Sequence, residues 1–275
     1  MGGRSLSAPT AASDRGSVPA VVGVRIPWDE NRAVSGRLHP ARDGRDAAPL
    51  LALTHGASGS MDSPALVGLA EALARRGIRV LRFNLPAAEA GRRRPDHPAV
   101  AVRAIRGVAA VARRLAAGAP FFLGGRSFGG RMVSMFLADP GDSGHGAAGA
   151  VLLAYPLKPP GSRTVPDIRV RHLGHVDVPM LFVSGDRDPF APPELFEPVV
   201  SAAGGALRWI RDGNHGFRVA KARLAAAGRT MADVDREVAN HVTAFLGRDG
   251  SVPQQRLPGA RSLRRRNLAG TSLTG

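Results

Sequence analysis

The stretch Phe121-Phe122-Leu123-Gly124-Gly125-Arg126-Ser127-Phe128-Gly129-Gly130-Arg131-Met132-Val133 decides how this 275-residue chain is read. A short apolar run ends in glycines, and an amphipathic segment over 128–138 follows at once, so a strand turns directly into a helix. Within the turn, Gly125, Ser127 and Gly129 make the pattern G-x-S-x-G. So abrupt a turn forces its central residue into a strained backbone conformation, and side chains two residues to either side would collide, which requires glycine there. The serine Oγ is then presented at the C-terminal edge of the strand. The Phe128 N–H stands at a helix N-terminus, where it can bind a developing oxyanion. Phosphate-loop readings fail, because G-x-x-x-x-G-K-[ST] is absent and these glycines do not fit G-x-G-x-x-G.

Outward from this turn, apolar runs alternate with amphipathic segments. Runs over 49–54, 79–84, 121–124, 150–155, 180–184 and 207–211 predict strands, and 63–76, 99–117, 128–138, 193–203 and 232–246 predict helices. Residues 21–26 and 33–39 read as two further strands joined by a turn near 29–31. Ser63 before Pro64 suits a helix start, the serine as a cap for orphan donors, and Gly77 and Gly118 suit helix ends. Strands buried on both faces and separated by helices imply an α/β domain with a mostly parallel central sheet and helices on both faces. No internal repeat is visible. Residues 1–20 and 248–275 are rich in Gly, Ser, Pro and Arg and are expected to be flexible ends around one domain over 21–247.

A serine hydroxyl attacks only when a base within hydrogen-bond reach takes its proton. The candidate base is His215, in Asp212-Gly213-Asn214-His215-Gly216-Phe217, directly after the last expected strand. A carboxylate must hold that imidazole's tautomer, and two stand after the strand over 180–184, in Gly185-Asp186-Arg187-Asp188-Pro189. Asp188 is preferred because it sits deeper in the loop with Pro189 stiffening the chain behind it. Asp186 is expected to bond loop amides or pair with Arg187. The chain order Ser127, Asp188, His215 is the α/β-hydrolase order. A second oxyanion donor is expected from His55-Gly56-Ala57-Ser58-Gly59: the Ala57 N–H, beside that of Phe128. His55 is expected to be a structural hydrogen-bonding residue. His172 and His175 read as a solvent-facing loop, and His39, His97, His145 and His241 have no constellation around them, so no metal and no cofactor is expected.

Composition narrows the function further. There is no cysteine, which removes disulfides, thiolate metal sites and a cysteine nucleophile. Uncharged stretches over 47–61 and 143–157 are too short for a membrane span, and each holds a histidine. The first twenty residues have no signal-peptide core, and Leu6 stands where myristoylation requires Ser or Thr. A soluble cytoplasmic protein is expected. The formal charge is +16, but from Arg248 onward six Arg face one Asp, and only Lys158 and Lys221 break an otherwise all-Arg basic set. That bias matches a GC-rich coding sequence, and no nucleic-acid-binding pattern accompanies it. No specific nucleic-acid partner is expected.

With these residues in hand, the chain resembles the α/β-hydrolase superfamily over about 21–247. Within it, the likeness is to the dienelactone-hydrolase-like branch, and there to bacterial hydrolases related to the third subunit of the non-specific lethal chromatin complex. The segments that carry it are Leu53-Thr54-His55-Gly56-Ala57, Gly124 to Arg131, Tyr155-Pro156-Leu157, residues 179–188 and Asn214-His215-Gly216. The resemblance implies an α/β-hydrolase fold and maps the acid onto Asp188. Dienelactone hydrolases proper use a cysteine nucleophile; here the position is Ser127, so lactone specificity is not implied. The expected activity is that of a carboxylesterase-like serine hydrolase acting on a small soluble acyl substrate. The alternative is a catalytically silent scaffold that binds protein or nucleic acid. Only 23 positions, 156–178, separate two expected strands where relatives insert lids, so no large lid domain is expected. Arg126, Arg131 and Arg92–Arg94 are cations that would favour anionic substrates or, more simply, form a solvated basic surface.

Overall fold

Leu50–Thr54 is buried at every residue because both faces of the strand it forms are covered. Leu50 and Ala52 enter one apolar cluster, and Leu51 and Leu53 enter another. That period-2 division is the signature of a sheet sandwiched between helices. A computed structural model describes residues 20–247 apart from 43, 45, 46, 143, 144, 160 and 163. Of the ends expected to be flexible, 1–20 and 248–275, all but Ala20 lie outside the described residues.

The strands are β1 (Val22–Asp29), β2 (Arg32–His39), β3 (Leu50–Thr54), β4 (Arg79–Phe83), β5 (Phe121–Arg126), β6 (Ala150–Leu153), β7 (Met180–Gly185) and β8 (Ala206–Ile210). The helices are α1 (Pro64–Ala74), α2 (Pro86–Glu89), α3 (Pro98–Ala116), α4 (Phe128–Leu137), α5 (Pro193–Ala202), α6 (Lys221–Ala226) and α7 (Met231–Leu246). Among the described residues the strands form one sheet in the order β1-β2-β4-β3-β5-β6-β7-β8. β1, β2 and β4 pair antiparallel; every pair from β4 through β8 is parallel. Apolar residues of α3, α4 and α5 fill the cluster on one face, and those of α1 and α7 fill the other. The order reverses around β3, so the loops after β3 and β5 emerge side by side at the carboxyl edge, where ligands bind in open α/β sheets.

Helix starts and stops follow local chemistry, with one departure from expectation. Ser63 does precede α1, but its Oγ makes no cap bond to that helix; it accepts the Ser60 N–H at 3.1 Å instead. Gly77 and Gly118 take φ of +78° and +92°, as helix ends of this kind require. α7 begins with a reciprocal box in which Thr230 and Asp233 satisfy each other's backbone donors. The segment 156–178 contains two short 3₁₀ turns, Asp167–Arg169 and Arg171–His175, and the described residues form no large lid domain.

Candidate active site

The turn between β5 and α4 has the strained form its glycines predict. Ser127 sits at φ 51°, ψ −118°, where an L-residue persists only if its surroundings over-determine it. Its N–H is tied to the Leu153 carbonyl at 2.8 Å. A Cβ on Gly125 would lie 2.5 Å from backbone atoms of Gly129 and Gly130, and one on Gly129 would lie 2.3 Å from the His55 carbonyl oxygen. Glycine at 125 therefore lets the chain fold back on itself. Glycine at 129 lets the helix start approach the loop after β3.

The three side chains singled out in the sequence meet at this edge. His215 Nε2 is 2.9 Å from Ser127 Oγ, and His215 Nδ1 is 2.7 Å from Asp188 Oδ2. A carboxylate oxygen only accepts, so Asp188 fixes the neutral imidazole's proton on Nδ1 and leaves the Nε2 lone pair facing the serine hydroxyl. Asp188 is 2 % exposed, and its other oxygen accepts the Phe190 N–H at 2.8 Å. The Phe190 ring stands edge-on to the imidazole with centroids 4.7 Å apart.

Backbone packing sets the meeting of acid and base. A Cβ on Gly185, at the end of β7, would lie 2.0 Å from the Gly213 carbonyl oxygen, so the β7 and β8 loops touch main chain to main chain. The Arg187 N–H donates to the same carbonyl at 3.0 Å. Asn214 Oδ1 accepts from the N–H groups of Gly216 and Arg218 and curls the chain around His215. Arg126 Nη2 donates to the His215 carbonyl at 3.2 Å, linking the turn to the base loop.

Ala57 and Phe128 line the same cleft as Ser127. Neither N–H has a hydrogen-bond partner among the described residues. Two unpartnered main-chain donors beside a hydroxyl that faces an imidazole are an arrangement able to receive an oxyanion. His55 is structural: its Nε2 accepts the Leu85 N–H at 3.0 Å and its Nδ1 faces the Gly56 carbonyl at 2.8 Å. Burial lowers its pKa, in keeping with a neutral ring.

Other sequence expectations need correcting. Arg187 pairs with Asp212 at 2.8 Å, not with Asp186, because the guanidinium reaches across to the β8 loop. Asp186 Oδ1 is buried without a partner among the described residues; burial raises its pKa, and the Asp212 backbone opposes that shift. His172 does not face solvent. The 3₁₀ turn directs its ring inward, where Nε2 lies 2.9 Å from the buried Ser134 Oγ. His39 has a partner too, accepting from Arg82 Nε at 2.9 Å. Among the described residues no group of three His, Asp or Glu side chains is gathered as a metal would require.

The cleft around Ser127 measures about 680 Å³. Arg126 and Arg131 line it, whereas Arg92–Arg94 do not; Arg92 is paired with Asp96. Lys158, Arg169 and Phe190 also line it and were not foreseen. Phe190 had a signal, since it lies two residues past the acid. Lys158 and Arg169 lie on an irregular segment with no period to read.

Fold and site together define a class, and the chain belongs to it: the α/β-hydrolase domain family model matches residues 47–247. Among solved structures, the chain is similar to Est1E from Butyrivibrio proteoclasticus, at 15% identity and TM-score 0.60, with 80% of this chain and 98% of that one covered. It is also similar to XC6422 from Xanthomonas campestris, described as a serine hydrolase without lid, at 19% identity and TM-score 0.61, covering 85% and 97%. A dienelactone hydrolase from Anabaena variabilis matches at 18% identity and TM-score 0.58, covering 82% and 99%. These likenesses are of fold. No helix among the described residues is long and apolar enough to cross a membrane.

Proposed function

We propose that the protein is a serine hydrolase that cleaves a carboxylic ester, or a related acyl bond, of a small soluble substrate through an acyl-enzyme. The observation that carries this reading is the continuous chain from Asp188 through His215 to Ser127, at 2.7 and 2.9 Å, opening into a cleft with two unpartnered N–H donors. Ser127 Oγ attacks the carbonyl carbon while His215 Nε2 takes its proton. Asp188 holds the resulting imidazolium, and the N–H groups of Ala57 and Phe128 receive the oxyanion. Each such donor contributes about 2.7–4 kcal/mol of transition-state stabilisation. Collapse of the tetrahedral species breaks the bond to the leaving group, which departs with the proton from His215. Water then repeats the sequence on the acyl-enzyme, releasing the acid and restoring the serine.

Fluorophosphonate labelling tests the reading, with short-chain 4-nitrophenyl esters as the turnover assay. Labelling of the wild type at Ser127, lost in Ser127→Ala, is the expected result. A folded wild type inert to both reagents would overturn it in favour of a silent scaffold.

A further inference from the structure

Arg126, Arg131, Lys158 and Arg169 all line the cleft that holds Ser127, and among the described residues no Asp or Glu side chain lines it. They arrive from separate places: Arg126 from the end of β5, Arg131 from the first turn of α4, Lys158 and Arg169 from the segment after β6. Several arginines elsewhere in the chain do find carboxylates, as in Arg82 with Asp62, Arg103 with Asp29 and Arg187 with Asp212. Among the described residues none of the four cleft cations forms an ion pair. Arg126, Arg131 and Arg169 donate instead to carbonyl oxygens of His215, Ile168 and Pro156 at 3.2, 3.4 and 3.4 Å. Two of those bonds are at the outer limit of a useful hydrogen bond. Arg131 Nε is buried with no acceptor at all.

This is an unfavourable way to leave cations. Arg126 and Arg169 are partly buried, and lost hydration lowers the pKa of both. Arg131 lowers that of Arg169 further, because the two charges repel. The one carboxylate whose field supports Arg126 is Asp188, whose oxygens already serve His215 and the Phe190 N–H. A solvated basic face would spread its charges outward into water. Here they converge on a concave site, where low-dielectric walls concentrate positive potential. An arriving anion would relieve the repulsion and supply the missing acceptors, and guanidinium forks are suited to carboxylate and phosphate oxygens.

Resting on the hydrolase reading above, we propose that the substrate carries an anionic oxygen group, carboxylate or phosphate, a few bonds from the scissile carbonyl. Arg131 and Arg169 seat that group, with Lys158 and Arg126 completing the positive wall. The anion orients the acyl chain so that the carbonyl carbon faces Ser127, and it draws the substrate into the cleft from a distance.

The test compares two matched substrates with the full chain: the 4-nitrophenyl hemiester of glutarate and the same ester with its free carboxylate capped as a methyl ester. The wild type is expected to favour the charged substrate by about tenfold or more in kcat/KM, mainly through KM. The preference should shrink as salt is raised. In Arg131→Gln and in Arg169→Gln the charged-to-capped ratio should fall toward one, and Lys158→Gln should lower it less. A second readout does not depend on turnover: glutarate and inorganic phosphate should slow fluorophosphonate labelling of Ser127, while uncharged glutaramide should not. The stronger protector of the two anions identifies which oxygen group the site prefers. An enzyme that labels at Ser127 yet takes the capped ester equally well, or is protected no better by the anions than by glutaramide, overturns the anionic substrate and leaves the hydrolase intact. Failure to label at all strikes the hydrolase reading instead.

Discussion

Two serine–histidine pairs flank one helix, and their hydrogen bonds run in opposite directions. Ser127 precedes α4 and Ser134 lies two turns further along it. Each hydroxyl is 2.9 Å from an imidazole Nε2, that of His215 for Ser127 and that of His172 for Ser134. What separates them is the third group. Asp188 fixes the proton of His215 on Nδ1, so Nε2 accepts from Ser127. At the other pair the Ser134 hydroxyl donates to the Arg131 carbonyl at 2.9 Å, and the Tyr155 hydroxyl, 3.4 Å from His172 Nε2, donates to the Arg169 carbonyl at 2.8 Å. Both hydroxyl protons are committed, so His172 Nε2 must carry its own proton and donate it. Ser134 is wholly buried, and burial plus the cations Arg131 and Arg171 push the His172 pKa down to about 4. In one pair the hydroxyl faces an imidazole lone pair, as the proposed nucleophile requires; the other is a neutral internal brace. Two residue types at one distance do not define a site until the partner behind the ring is known.

The sharpest way to break this comparison is to remove each hydroxyl. Ser127→Ala is expected to lower ester turnover by about 10⁶-fold, whereas Ser134→Ala should still be labelled by fluorophosphonate at Ser127. Loss of labelling in the second variant would mean the pairs had been assigned the wrong way round. Asp188→Asn should reduce kcat by about 10⁴-fold, because the amide can orient the imidazole in its wrong tautomer; steady-state kinetics measures it.

The brace has a different signature, in stability. An unfolded histidine titrates near 6.5 and His172 in the fold near 4, so between those values the unfolded chain binds the extra proton. Its contribution is fully present above pH 6.5 and is lost as pH falls toward 4, by about 2–3 kcal/mol in all. Urea denaturation at pH 7 and at pH 4.5 should show the loss, and His172→Gln should flatten it. The smallest effect is expected from Tyr155→Phe, which removes the bond to the Arg169 carbonyl and should cost about 1 kcal/mol in the same assay.

Much of this was legible beforehand, for reasons that differ by region. The strands that became β3 to β8 were visible because burial on both faces makes continuous apolar runs, and each boundary fell within a residue or two. The turn at Ser127 was legible because backbone collisions demand glycine at fixed offsets; the collision at Gly125 lies within the turn as anticipated, whereas that at Gly129 is with the loop after β3. α2 and α6 were not foreseen, since four and six residues are too few for a helical period to emerge. The inward turn of His172 was missed because one imidazole on an irregular segment has no period at all. Ser63 does mark the helix start, but its expected cap bond is absent because the hydroxyl serves the preceding loop instead. Lys158 and Arg169 escaped notice as cleft residues because only the three-dimensional meeting of separate segments brings them beside Arg126 and Arg131.

The contact of Gly185 with the Gly213 carbonyl has a consequence for how the molecule can change. His215 and Asp188 ride on two loops joined main chain to main chain at Gly185 and Gly213, so a side chain at Gly185 would force those loops apart. The wall that carries Lys158 and Arg169 belongs to a different segment and takes no part in that junction. Side chains there can be exchanged without touching the main-chain contact that holds the His215 and Asp188 loops together.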